Sequence, residues 1–200
     1  MAIASTGWYV VEAIVAERRD PANLGQTTMA TAFTIQDVHH AWTALVGDVR
    51  TAVLLTLRNG RPFGSHVPYV FGLDWTKAYL HLSRLALHTQ HLLENPQVAL
   101  FIAEPDGPEK NPLALRRLNL QGEAAILSPD APTYDEIKRR YLERFPKAEM
   151  MFGFGDFALW ELQLAEAHFV LGFGQSFVST APTPARWVHQ KVERPSSRKD

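Results

Sequence analysis

Arg61-Pro62-Phe63-Gly64-Ser65-His66-Val67-Pro68-Tyr69, followed by Tyr79-Leu80-His81-Leu82-Ser83-Arg84-Leu85-Ala86-Leu87-His88-Thr89, are the stretches on which the fold of this chain turns. Both read as β-strands, and the second runs without a glycine or proline into a helix start. The end of that strand carries hydroxyl, guanidinium and imidazole groups in Ser83, Arg84, His88 and Thr89. A strand end meeting a helix N-terminus offers unpaired N–H groups and a favourable dipole to an anion, so the junction is a candidate phosphate seat.

Working outward, Thr51 to Leu57 is a further strand, joined to the first stretch by Asn59-Gly60, two residues that tolerate the positive φ of a tight hairpin. Upstream, Ile35, Val38, Trp42, Leu45 and Val46 recur at helical spacing on one face, with His39-His40 turned outward. Downstream, the helix after Thr89 stops at Asn95-Pro96. Gln97 to Ala103 is a strand, Glu104 to Asn111 a loop, and Leu115 to Leu127 a long strand with Leu118, Leu120 and Gly122 on a dry face. Tyr134, Ile137, Tyr141 and Leu142 share a face of another helix, and Phe157 to Leu164 and Ala167 to Phe173 read as a strand pair. Short strands, short connections and plugging helices predict a mainly β protein with flanking helices, a small antiparallel barrel rather than a doubly wound sheet. The expected layout is an N-terminal arm (1–34), one barrel domain (35–179) and a frayed C-terminal tail (180–200).

The chain has 200 residues, 46% hydrophobic, enough for one domain with a real core. Lys and Arg number 20 against 21 Asp and Glu, which gives neither the basic field expected of a nucleic-acid binder nor a strongly acidic one. With no cysteine there is no disulfide, thiolate nucleophile or iron-sulfur cluster. The apolar run Trp8 to Ala16 is short, carries Glu12 and is followed by Arg18-Arg19, so no secretory signal or membrane span is expected, and a cytoplasmic location fits.

The order and spacing of Leu54-Leu55-Thr56-Leu57, Gly60-x-Pro62-x-x-Ser65-x-Val67-Pro68-Tyr69, Ser83-x-Leu85-Ala86-x-His88-Thr89-x-x-Leu92, Asn95-Pro96, Arg117-Leu118-x-Leu120-x-Gly122 and Phe154-Gly155-Asp156-Phe157 carry a more specific signal. Together they resemble the pyridoxamine 5'-phosphate oxidase-related FMN-binding split-barrel superfamily, and within it the haem-utilisation, haem-degrading branch. The resemblance implies a six-stranded antiparallel split β-barrel, and a homodimer with two FMN sites at the subunit interface. On this chain the implied cofactor-binding positions are Ser65, Val67, Pro68 and Tyr69 beside the isoalloxazine, Ser83, Arg84, His88 and Thr89 at the phosphate, and Arg117 lining the cleft. Pyridoxamine-phosphate oxidases proper carry Arg and Lys where this chain has Ser65 and Val70, and Ser-Arg-Lys where it has Ala86-Leu87-His88, which points away from vitamin B6 oxidation. The haem-degrading members use a histidine in a C-terminal tail as iron ligand, a role for which His189 is the candidate here, with Arg117 facing a propionate.

Each of these residues has a plainer use. Ser83 and Thr89 are also good helix caps, Arg84 a surface charge, Pro68 a barrel edge, and Arg117 a partner for Glu123. His81 reads as a sheet-surface residue, and His88 with His91 as a weak metal pair lacking a third ligand. Phe152 to Phe157 and Gly172-Phe173-Gly174 read as tight turns whose rings enter the core, with Asp156 a candidate for fixing a loop at the dimer interface. Four functions follow: an FMN-dependent oxidoreductase, with no residue marked as acid or base; a haem-binding or haem-degrading protein; a flavin-binding module without turnover; and a histidine-based metallohydrolase. A small molecule or haem, and no nucleic acid or membrane, is the expected ligand.

Overall fold

A capping box opens the first helix, α1 (Ile35–Asp48): the Asp37 carboxylate accepts from the Thr34 N–H at 2.8 Å, while Thr34 Oγ1 accepts from the Asp37 N–H at 3.2 Å. The Thr34 N–H, and after it the Thr34 hydroxyl that donates to the same carboxylate at 2.7 Å, hold the Asp37 carboxyl below its ordinary pKa. The computed structural model describes residues 34–180 and 187–190; apart from Thr34, the predicted N-terminal arm lies outside them. Val38, Trp42, Leu45 and Val46 are buried as their spacing predicts, whereas Ile35, in the first turn, is half exposed.

Next come β1 (Thr51–Arg58) and β2 (Arg61–Pro68), joined by Asn59 and Gly60 at φ 50° and 71°. This is the I′-type hairpin that Asn-Gly announces. After β3 (Val70–Phe71) and β4 (Lys77–Ser83) come α2 (Leu87–Glu94), β5 (Gln97–Ala103), β6 (Arg117–Ile126), α3 (Tyr134–Arg144), β7 (Phe157–Gly172), β8 (Gln175–Ser179) and β9 (Val188–Gln190). The sheet runs β2-β1-β5-β6-β7-β4-β3, all antiparallel, with β8 and β9 added beyond β7. Because β2 and β3 are one run of chain interrupted at Tyr69, the two ends of that path are continuous and the sheet closes into the predicted split barrel. Pro68, which has no N–H to donate, stands at the split.

The two strands expected between Phe157 and Phe173 are a single 16-residue strand. The apparent break at Ala165-Glu166 is a bulge: Gln121 faces Glu166 and Gly122 faces Leu164, leaving Ala165 without a partner. The predicted frayed tail also differs. Val188–Gln190 pairs with β8, and Trp187 is buried against Trp42 (ring centroids 4.9 Å) and Phe169 (5.9 Å). An indole of that size contributes a few kcal/mol on burial, enough to tie a short strand down.

Two cores result. Leu54, Leu100, Leu120 and Ala167 form one register row inside the barrel, closed at its mouths by α1 and by Leu92 of α2. The outer face of β4 and β7 is covered by α3 and the 3-10 segment Pro146–Gly153, packing Tyr79, Leu159, Ile137, Tyr141 and Ala148 together. Among the described residues no helix is long and apolar enough to cross a membrane.

His81 is a correction. It is 7% exposed under that second layer, its ring stacked on Phe152 at 3.8 Å with an 8° interplanar angle. Alternation along β4 put it on the outer face, and sequence could not show that α3 covers that face. Burial, helped by the charge of Lys138, pushes its pKa down to about 4 from 6.5. The folded state therefore binds fewer protons than the unfolded state between those values. Its contribution to stability is full above pH 6.5 and is lost as pH falls towards 4, by up to about 3 kcal/mol. Urea unfolding at pH 7 and pH 4.5 is expected to show a smaller acid loss in His81→Phe than in the unaltered chain; equal losses would disprove the assignment.

Candidate functional site

The strand-to-helix junction forms where the sequence places it, but Ser83 and Arg84 donate within the chain itself. Ser83 Oγ donates to Asp156 Oδ2 at 2.5 Å and accepts from the Leu85 N–H at 3.1 Å. The Arg84 N–H goes to the Asp156 carbonyl at 2.7 Å, and its guanidinium Nη2 to the Gly155 carbonyl at 2.7 Å. The N–H groups of Ala86, Thr89 and Gln90 reach the carbonyls of Ser83 and Ala86 at 3.1 to 3.2 Å. Thr89 is fully buried, and its Oγ1 has no hydrogen-bond partner. Nor does α2 have a side-chain cap, its N-cap being Ala86.

The remaining predicted contacts divide by face. Val67 and Tyr69 are core residues, 2% and 0% exposed, and the Tyr69 hydroxyl donates to the Val49 carbonyl at 2.6 Å. Only their backbone is left for a ligand, as the alternation of a half-buried strand requires. Half-buried Ser65 instead meets His88, with Oγ 3.0 Å from Nδ1. Burial first, and then the neighbouring His91, lower the His88 pKa, so its imidazole is held neutral rather than as the imidazolium that a phosphate would favour. His91 is 5% exposed, with Nδ1 3.0 Å from Thr56 Oγ1 and its ring on Phe63 at 5.1 Å. It docks α2 on β1, so the two histidines each hold a hydroxyl. Among the described residues no group of three or more His, Asp or Glu could hold a metal.

Arg117 does not bridge to Glu123. It donates to the Leu115 carbonyl at 3.2 Å, while Glu123 accepts from Gln97 Nε2 at 2.7 Å and Arg116 pairs with Glu104 at 3.0 Å. Arg117 shares a register row with Val170, Ser176 and Gln190, whereas His189 falls in the adjacent row with Phe177, Phe169 and Leu118. Alternation puts neighbouring rows on opposite faces, so Arg117 and His189 of one chain flank different sides of the sheet. His189 is exposed in the middle of β9, its ring 4.9 Å from Phe177. Arg117 also lies thirteen residues along β7 from Ser83, since Ser83 pairs with Phe157 and Arg117 with Val170. At about 3.3 Å per residue that is roughly 40 Å.

The Phe-Gly stretches form turns as read, and Phe152 and Phe157 close around His81. Phe154 and Phe173, predicted to enter the core, are instead 47% and 76% exposed, because each rides the outer side of a turn. The strongest contact that sequence reasoning missed is the acceptor for Ser83. Asp156 was visible as a loop-fixing acid, but only the β4–β7 register brings it to Ser83.

The chain matches the family profile described as Pyridoxamine 5'-phosphate oxidase over residues 38–171. Heme oxygenase HutZ of Vibrio cholerae is 29% identical over 133 residues, 65% of this chain and 73% of the relative. A solved structure of Vibrio cholerae HutZ, described there as a heme storage protein, superposes with a TM-score of 0.54 at 27% identity, covering 62% of this chain and 87% of the other. The chloroplastic heme oxygenase HOZ of Arabidopsis thaliana is 31% identical over 121 residues, 60% of this chain but only 35% of the relative. Campylobacter jejuni ChuZ shares the fold, with a TM-score of 0.69 at 20% identity over 80% of this chain and 65% of the other.

Proposed function

Because this chain belongs to the pyridoxamine 5'-phosphate oxidase family, we propose that it is a haem-binding protein of the haem-utilisation kind rather than an FMN-dependent oxidoreductase. One contrast carries the reading: the Ser83 hydroxyl, the Arg84 N–H and the Arg84 Nη2 donate to Gly155-Asp156 of the same chain, while the imidazole of His189 is presented, exposed, on a strand that Trp187 anchors. The residues at the junction do not fit a flavin phosphate. A carboxylate lies on the serine meant to donate to it, and the threonine is sealed in the core.

His189 fits an iron-binding role. An imidazole nitrogen is a common ligand of haem iron, and bound haem would supply the redox and oxygen chemistry. Haem oxygenase activity in the HutZ and HOZ relatives, and haem storage by HutZ, support haem as the ligand. Arg117 is the group for a propionate, and since it stands on the other face from His189, it would come from a second copy of the chain. A homodimer is supported by the outer row Val53, Phe101, Asn119, His168 and Val178, half-buried across five strands, where Asn119 Oδ1 is buried without a donor. A partner laid on that face would cover the apolar stripe.

The protein titrated with haemin is expected to develop a stable Soret band that His189→Ala abolishes, and to sediment as two chains. A protein that takes up no haem, or a band unchanged in the variant, would sink the assignment. Bound haem is also expected to quench the buried Trp187, two residues from the ligand candidate, and Trp42, whose ring lies against it.

A further inference from the structure

We propose that Asp156 is an internal anion that stands in the phosphate position of the fold and makes this chain reject phosphate-bearing flavins. The proposal goes beyond the haem reading and stands without it. The junction between β4 and α2 has the components of an anion seat: a serine at the strand end, an arginine beside it and a turn of backbone N–H groups leading into a helix. The serine and the arginine are directed to the segment Gly155-Asp156 that precedes β7, while the N–H groups of Leu85, Ala86, Thr89 and Gln90 turn back to Ser83 and Ala86. The Asp156 carboxylate accepts from Ser83 Oγ at 2.5 Å, its carbonyl accepts from the Arg84 N–H at 2.7 Å, and Gly155 takes the Arg84 guanidinium at 2.7 Å. Register makes this arrangement rigid, because Ser83 pairs with Phe157, the residue next to Asp156, in a ladder that continues to Lys77 and Gln163.

An incoming phosphate dianion would have to displace a carboxylate from Ser83 and remain a few ångströms from its negative charge. The same position then selects by charge rather than by shape. A ligand with no phosphate, such as riboflavin, meets no such repulsion, whereas FMN does.

The test is fluorescence titration of the full chain with FMN and with riboflavin, which differ by the phosphate. The unaltered protein is expected to show no preference for FMN. Asp156→Asn keeps an acceptor for Ser83 without the charge, and Asp156→Ala removes both; each is expected to shift the FMN-to-riboflavin affinity ratio by about ten-fold towards FMN. An unaltered protein that retains FMN on purification, or binds it clearly tighter than riboflavin, overturns the proposal. So does a ratio unchanged in both variants when circular dichroism shows them folded. The comparison on the unaltered chain decides by itself if a variant fails to fold. Haemin titration of the same samples reads the haem assignment separately, so one idea can fail without the other.

Discussion

Gly122→Ala is expected to cost more than about 4 kcal/mol and to lower Tm by on the order of 10 °C or more, or to prevent folding outright. A Cβ built on Gly122 lies 2.9 Å from the carbonyl carbon of Gln163 and 3.0 Å from Leu164 Cα, and closer still to the Gln163 oxygen. These are backbone atoms of β7, the strand that pairs with both β6 and β4, so no side chain can rotate away. The approach exists because the bulge at Ala165 tightens the two strands where β7 bends round the barrel. Gly153→Ala is the control, since its Cβ would meet nothing within 4 Å, and its effect should stay within about 0.5 kcal/mol. Thermal unfolding followed by circular dichroism compares them. A Gly122→Ala protein melting within a few degrees of the unaltered chain would show that the two strands can part there at little cost.

Arg144→Ala is expected to cost about 2 to 4 kcal/mol. Its Nη2 reaches back from α3 to the C-terminus of α1, donating to the Val46 carbonyl at 2.7 Å and the Val49 carbonyl at 3.0 Å, while its guanidinium lies 5.5 Å over the Tyr69 ring. It is thus a cation at the negative end of a helix, satisfying carbonyls that the helix leaves unpaired. Arg50 in turn donates to the Arg144 carbonyl. Burial lowers the guanidinium pKa from its ordinary value, but it remains charged at any pH at which the protein is folded. Arg144→Lys should recover less than half of the loss, because an ammonium cannot reproduce the planar fork and its stacking. A double-mutant cycle with Tyr69→Phe, read by urea unfolding and Trp42 emission, would show coupling between the two groups that share the Val49 carbonyl. Additive effects in that cycle would mean that they act separately.

Neither effect is visible in the chain as a string of letters. Gly122 stands out only as a gap in the apolar face of a strand, and Arg144 as one of several charges on an amphipathic helix. Both matter through partners distant in sequence: Gln163 and Leu164 for the first, Val46 and Val49 for the second. The same holds for His81 and His91. Period-two alternation and helical spacing place them on a face, but only the packing of α3 and of β1 decides that the face is covered.

Local physics, which sequence carries directly, determined the elements and the fold class. Asn59-Gly60 accepts positive φ and so sets a hairpin, Thr34 and Asp37 can cap each other, Asn95-Pro96 stops a helix, and alternating Leu118 and Leu120 make one face of a strand dry. The same letters placed a hydroxyl, a guanidinium and an imidazole at one strand-to-helix junction. Tertiary structure alone decided what those groups face. Whether Ser83 donates to a ligand or to Asp156, and whether His189 hangs free or rides an anchored strand, depends on cross-strand register and on the burial of Trp187. Register and burial are set by contacts between residues far apart in the chain, whose free energy no local pattern contains.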